Sequence, residues 1–173
     1  LHVALDNDFQ SFIKASNSIA SEINLEKLLS KLISVLIENA AAENAFFIIP
    51  DPNGQFAIYA SKKGLEPVNT EQVYASKRNL PLSIVQYVYR TRQVLLLNNA
   101  YNEATYKNDH YIQTNQVRSL LCLPVLKNNA VQGIILLENN FLNQAFTHER
   151  TEIVKLLASQ IAVSFENATL YNN

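Results

Sequence analysis

The side chains in this sequence that could perform chemistry are few and widely spaced. The single cysteine, Cys122, lies between two leucines in a stretch typical of a core strand. Apolar surroundings raise the pKa of a thiol and leave it inert, so we interpret Cys122 as structural. The histidines are His2, His110 and His148, and their spacing does not supply the three or four ligands of a zinc site. These residues predict neither a nucleophile nor a metal centre.

The glycine pattern and the charge exclude further functions. Glycine occurs only at positions 54, 64 and 133, and this spacing gives no phosphate-binding loop, dinucleotide fingerprint or nucleophile elbow. Fourteen basic and 15 acidic residues leave a net charge of −1, so no strong positive field favours nucleic acid. We therefore expect a non-catalytic domain without a nucleic-acid partner.

Length and composition predict one domain over residues 1–173, because 173 residues without a Pro- or Gly-rich linker can enclose a single core. The longest apolar run, Leu120 to Leu126, is too short to cross a bilayer, and the amino end has no targeting pattern. We expect no membrane partner. A lone cysteine suits a reducing compartment and favours a cytoplasmic location. Since the chain starts without methionine, we expect a fragment of a longer multidomain protein.

Helical patterns flank a central region with strand patterns. We expect N-terminal helices over residues 9–42, the first from Phe9 and the second capped by Asn24, and a C-terminal helix over 147–171 capped by Thr147. Residues 44–140 should hold a sheet, a helix capped by Ser83, and a polar excursion at 98–116 with one short helix. The predicted strands cover residues 45–50, 55–60, 68–74, 94–97, 118–126 and 131–138.

Strands and helices do not alternate strictly in this order. The pattern therefore favours an α+β fold, with an antiparallel sheet and helices gathered mainly on one face, over a parallel doubly wound sheet. In the final hairpin, Asn128 and Asn129 are expected to adopt the left-handed conformation that the turn requires.

The C-terminal helix carries two apolar stripes. The first, with the 3.6-residue period of a helix packed on its own core, comprises Val154, Leu157, Ala158, Ile161, Ala162, Phe165 and Ala168. The second has the alternating three- and four-residue spacing of a coiled-coil seam and comprises Ile153, Leu156, Gln160, Val163, Asn167 and Leu170. The second stripe either pairs with its copy in a homodimer or lies under another part of the same domain.

Three segments in this order resemble a GAF domain, and similarity extends from about Phe9 to the end of the chain. The segments are Ser119-Leu-Leu-Cys-Leu-Pro-Val-Leu126, Gly133-Ile-Ile-Leu-Leu-Glu-Asn139, and Phe146-Thr-His-Glu-Arg150 with the helix after it. They resemble the GAF sensors of bacterial multi-sensor histidine kinases and of kinases that join a serine/threonine kinase to a histidine kinase. The resemblance implies a PAS-like antiparallel sheet of about six strands, a small-molecule pocket under the excursion, and output to a linked kinase through helices that pair across a dimer.

The same resemblance argues against several known ligands and activities. Bilin-binding members usually attach the pigment to a cysteine in the excursion, where residues 107–110 stand here, and this sequence has none there. Cyclic-nucleotide-binding members carry an Asn-Lys, Phe, Asp-Glu pattern that Asn139 or Asn140, Phe146 and Glu149 match only loosely. Reduction of free methionine sulfoxide needs several cysteines, because one thiol cannot both attack and resolve a disulfide. The cofactor or ligand is thus unassigned.

Candidate ligand-binding residues follow from the implied pocket. In the excursion these are Tyr106, His110 and Tyr111, whose rings with polar tips suit a mostly apolar site or, equally, a set of half-exposed loop aromatics. Arg118 could meet an anionic ligand or form a surface ion pair with Asp109 or Glu103. The remaining candidates, on the sheet side, are Tyr59, Leu120 and Cys122, each of which a register error of one residue would turn to the opposite face.

Two functions follow from these expectations. In the first, the domain binds a small molecule and relays its state to a kinase through dimer-forming helices. In the second, its own side chains fill the pocket, and the domain serves as a ligand-free dimerisation and signal-transmission module.

Overall fold

The computed structural model describes the backbone of residues 14–171 and the side chains of that range other than those of Thr169 and Tyr171. This part of the chain contains six strands: β1 (Asn44–Pro50), β2 (Phe56–Lys63), β3 (Val73–Tyr74), β4 (Leu95–Leu97), β5 (Ser119–Lys127) and β6 (Ala130–Asn139). All neighbouring pairs are antiparallel, in the order β3-β2-β1-β6-β5-β4. The predicted antiparallel α+β fold is confirmed.

Five α-helices accompany the sheet in the described range: α1 (14–20), α2 (Leu25–Ala40), α3 (Leu82–Thr91), α4 (His110–Asn115) and α5 (His148–Tyr171). The predicted start of the first helix, Phe9, lies outside the described residues. Asn24 caps α2 as expected, because its side chain accepts a hydrogen bond from the Lys27 amide at 3.0 Å. Among these helices none combines the length and apolar character of a membrane span.

The sheet separates two cores, because alternate strand residues face opposite sides. The first core lies against α1, α2 and α5 and includes Phe47, Leu121 and Ile135. The second core lies against α3 and the excursion and includes Phe46 and Leu120. The chain therefore presents a long-helix face and a face covered by short segments.

Some local predictions were wrong. The expected strand at 68–74 is reduced to β3, and the excursion holds two 3-10 helices, Ala100–Asn102 and Ala104–Tyr106, in addition to α4. Ser83 does not cap α3, since the helix begins at Leu82 after Pro81 without a side-chain cap. Asn128 and Asn129 do adopt left-handed backbone, with φ values of 50° and 65°.

The two stripes of α5 differ in burial. In the first stripe, Val154, Leu157 and Ile161 are each 0% exposed. In the second, Leu156, Val163 and Leu170 are 54%, 57% and 68% exposed. These three recur every seven residues, so they form an exposed apolar row, the outer row, along the helix. Within the part of the chain that the structure describes, no segment buries the outer row.

The remaining second-stripe residues differ from the outer row. Ile153 is half-buried and packs against the first core. Gln160 is half-buried, and its side-chain amide contacts the Ser164 hydroxyl at 3.4 Å. Asn167 is exposed. Of the six residues predicted for the dimer seam, the outer row and Asn167 are therefore exposed, whereas Ile153 and Gln160 are half-buried.

Gly133 allows β6 to lie close to Phe47. A Cβ at position 133 would stand 2.5 Å from the Phe47 Cζ atom, and Phe47 is fully buried against Phe165, with ring centroids 5.9 Å apart. We expect Gly133→Ala to lower the free energy of unfolding by about 1–3 kcal/mol in a urea titration, because the ring must move. In a Phe47→Leu background the loss should shrink. Equal losses in both backgrounds would contradict this explanation.

Candidate ligand-binding site

The second-core face of the sheet holds one buried carboxylate, that of Glu138 in β6, which is 0% exposed. The alternation that turns Ile134 and Leu136 into the second core also turns Glu138 to this face. The sheet register pairs it with Asn44 of β1 and Leu120 of β5. Its position therefore follows from strand pairing, although a charged residue there interrupts an apolar surface.

Two side chains donate hydrogen bonds to this carboxylate, both to the same oxygen. The Tyr111 hydroxyl of α4 donates to Glu138 Oε1 at 3.0 Å, and the Asn44 side-chain amide donates to Oε1 at 3.1 Å. Glu138 Oε2 accepts no hydrogen bond from the described residues. An ionised carboxylate can accept about four hydrogen bonds, so half of the carboxylate is unused.

Burial governs the protonation of this group. It raises the pKa of Glu138 to about 7. The hydrogen bonds from Asn44 and Tyr111 lower this pKa, the charge of Glu43 raises it and that of Lys63 lowers it, all less strongly than burial acts. The pKa of Tyr111 is raised, first by its own burial and then by Glu138. The site thus holds a carboxyl group that changes its charge near neutral pH.

A cleft of about 290 Å³ lies between the start of α3 and the start of α4. Its lining combines apolar and polar side chains: Lys77, Leu80, Leu82, Ser83, Thr105, Tyr106, Asn108, Asp109 and His110. This volume lies at the lower end of the range for small-molecule sites. The cleft is therefore of a size for a small metabolite.

Asp109 joins the two walls of the cleft. Its Oδ1 accepts from the Ile112 amide at 3.1 Å and caps α4. Its Oδ2 accepts from the Ser83 hydroxyl at 2.5 Å. His110 follows on the cleft wall, and Tyr111, the next residue, contacts Glu138. The first turn of α4 thus carries residues of the cleft and, at Tyr111, a hydrogen-bond donor to the buried carboxylate.

The structure brings together most of the predicted pocket residues. Tyr106 and His110 line the cleft, whereas Tyr111 is not part of its lining and donates to Glu138. Leu120 and Cys122 are fully buried on the second-core face. Burial raises the pKa of the Cys122 thiol, in line with its interpretation as a structural residue.

Two predicted residues lie elsewhere. Arg118 is exposed and donates from Nη1 to the Phe141 carbonyl oxygen at 2.9 Å, so its guanidinium does not enter the cleft. The ion pairs of the described residues do not include it. Tyr59 was expected on the pocket face but packs against the first core. Its neighbour Ile58 faces the second core, so the alternation along β2 turns Tyr59 to the opposite face.

Sequence reasoning missed Glu138 and Asn44 as site residues. The available signal was a single acidic residue at the end of the otherwise apolar strand segment Gly133 to Glu138. Asn44 carried no such signal, since its role depends on pairing with a strand more than 90 residues away. Among residues 14–171, no cluster of three or more His, Cys, Asp or Glu side chains could hold a metal ion.

Comparison with solved structures supports the fold. The GAF domain of a phosphoenolpyruvate-protein phosphotransferase from Acinetobacter superposes with a TM-score of 0.74 at 20% identity, covering 95% of this chain and 96% of that one. The chromophore-binding domain of a bacteriophytochrome from R. palustris gives a TM-score of 0.77 at 10% identity, covering 98% of this chain and 63% of that one. At these identities the likeness establishes the fold alone.

Curated relatives include two histidine kinases. Hybrid signal transduction histidine kinase G of Dictyostelium discoideum is 41% identical over 90 residues, which cover 52% of this chain and 3% of that protein. Peroxide stress-activated histidine kinase mak3 of Schizosaccharomyces pombe is 26% identical over 174 residues, covering 95% of this chain and 7% of that protein. The chain thus spans less than a tenth of either kinase.

The family comparison covers most of the chain. The model for the GAF domain matches residues 24–165, from the cap of α2 to the last turns of α5. This range contains the whole sheet, the cleft and the Glu138 cluster. The chain therefore belongs to the GAF domain family.

Proposed function

We propose that this GAF domain is a non-catalytic sensory domain of a signal transduction kinase, which binds a small molecule and relays its state through a homodimer. Similarity to two histidine kinases supports the signalling role. The observation that carries the proposal is the division of α5, whose inner side packs on the first core while the outer row is exposed. One helix can therefore contact both the sensing domain and a partner helix.

The central strands offer a route from the site to this helix. In β6, Leu136 and Glu138 face the site, whereas Ile135 and Leu137 face the first core with Val154 and Leu157 of α5. Because core side chains are close-packed, a shift of β6 on one face must be accommodated on the other. Ligand binding would thereby bias the packing of α5 and the dimer.

The ligand-free alternative has an observation in its favour. Side chains fill the second core tightly, and Ile112, Leu120, Cys122 and Leu136 are all 0% exposed. A domain of this kind would serve as a dimerisation and transmission module whose input comes from elsewhere. The open cleft beside Tyr106 and the half-used carboxylate of Glu138 favour the ligand-binding proposal.

A thermal-stability screen with a small-metabolite library separates these two functions. A ligand present at a hundred times its dissociation constant should add about 2.7 kcal/mol to the free energy of unfolding. We expect at least one compound to stabilise the chain in a saturable manner. A library without any saturable stabiliser would favour the transmission module.

A further inference from the structure

We infer that the Glu138 carboxylate is the ligand anchor of this domain, and that the ligand presents a positively charged or N–H donor group such as an amidine, guanidine or amino-azole. This inference rests on the proposed ligand-binding function. The chemistry of the ligand is inferred from Glu138, because one of its two carboxylate oxygens is buried and accepts no hydrogen bond from the described residues.

A structural role does not require a carboxylate at position 138. Glu138 Oε1 accepts from Tyr111 and Asn44, and a glutamine side-chain oxygen could accept both hydrogen bonds without a buried charge. Burying an ionised group is costly unless it is paired. A carboxylate is advantageous where a cation or a pair of N–H donors binds to both oxygens.

The described residues supply no cation at contact distance from the Glu138 carboxylate. None of the three ion pairs in the described range involves Glu138. Lys63 is the one basic side chain that influences its pKa, and its effect is the smallest of those acting on the group; Glu43 acts in the opposite sense. The described residues therefore give the ionised form no counter-charge at contact distance.

A ligand must also be able to reach the Glu138 carboxylate. The first turn of α4 bounds the cleft with Asp109 and His110. Tyr111 is the next residue of this turn. α4 has only six residues and is tied to α3 through the Asp109–Ser83 hydrogen bond. The lining of the cleft does not include Tyr111 or Glu138, so the ligand must move the Tyr111 side chain aside to reach the carboxylate.

The test is to measure how pairs of probes bind to the 173-residue chain and to its Glu138→Gln variant. The probes are amidines, guanidines and amino-azoles, each compared at pH 8 with its neutral amide or urea isostere, for example benzamidine with benzamide. We expect a cationic member to bind at least about tenfold more tightly than its isostere. Glu138→Gln should abolish this preference while the chain remains folded by circular dichroism.

Two further measurements do not depend on that variant. Tyr111→Phe removes the competing donor, so it should raise the affinity for the cationic probe roughly 3- to 10-fold. The affinity should also fall about tenfold per pH unit below the Glu138 pKa of about 7, because the probe binds the ionised form. A pH-independent affinity, or a loss of affinity in Tyr111→Phe, would overturn the inference.

The failures of the two proposals are distinguishable. If compounds bind equally well to the wild type and to Glu138→Gln, or neutral isosteres bind as tightly as cations, the Glu138 assignment is overturned and the sensory function is retained. If neither the probes nor the general library stabilise the chain, ligand binding itself is overturned, and the anchor with it.

Discussion

Replacing both Leu156 and Val163 by glutamate is expected to convert a dimer into a folded monomer. The two side chains are 54% and 57% exposed on α5 and would be buried only against a partner. Burial of a Leu or Val side chain contributes about 1.5–3 kcal/mol. The double variant removes two such side chains from each protomer, four per dimer, and adds charge repulsion. The dissociation constant should rise by more than about a thousandfold, as measured by analytical ultracentrifugation.

Lys155→Glu is the matched control, because it changes the charge of each protomer by −2, as the double substitution does. Lys155 is exposed on the same helix but outside the outer row, and its ion pair with Glu152 at 3.2 Å is a surface contact of little weight. The control should remain dimeric. A double variant that remains dimeric, or that unfolds, would show that the outer row is not the interface.

Glu138 is expected to give the domain a pH-dependent stability that Glu138→Gln removes. Its pKa is about 7 in the folded chain against an ordinary value of 4.5. Between these values the folded chain holds the proton and the unfolded chain releases it. The stability contributed by this group is therefore fully present below pH 4.5 and is lost as the pH rises through 7.

Urea unfolding at pH 5 and pH 8 measures this effect. From pH 5 to pH 8 the free energy of unfolding of the wild type should fall by about 2–3 kcal/mol more than that of Glu138→Gln. Glu71→Gln, the same chemical change at an exposed position, serves as the control and should behave as the wild type. Parallel pH profiles for the wild type and Glu138→Gln would mean that the carboxyl group is not titrating in this range.

Features that depend on consecutive residues could be predicted from the sequence. The cap at Asn24 and the left-handed turn at Asn128 and Asn129 each follow from side chains within four positions of one another. The first stripe of α5 was predicted because a helix repeats every 3.6 residues over a long segment. The residues of the outer row were predicted as part of the second stripe, from its alternating three- and four-residue spacing.

Features that depend on tertiary contacts could not be predicted in the same way. Ser83 has the residue type of a cap, but its hydroxyl donates to Asp109, 26 positions later. Tyr59 was assigned to the wrong face because the pairing of β2 with β1, rather than the sequence of β2, decides that Phe56 and Ile58 face the second core. Glu138 was missed because β6 is apolar on both faces, which hides the two-residue alternation that would have assigned it to the site.

Native mass spectrometry of the purified chain tests most directly whether it is a dimeric ligand-binding sensor. The method weighs the assembly together with any molecule retained in it. We predict the mass of a dimer plus a discrete small excess, which would also give the mass of the ligand. A dimer without excess would favour the transmission module, and a bare monomer would contradict both the relay through α5 and the sensor that depends on it.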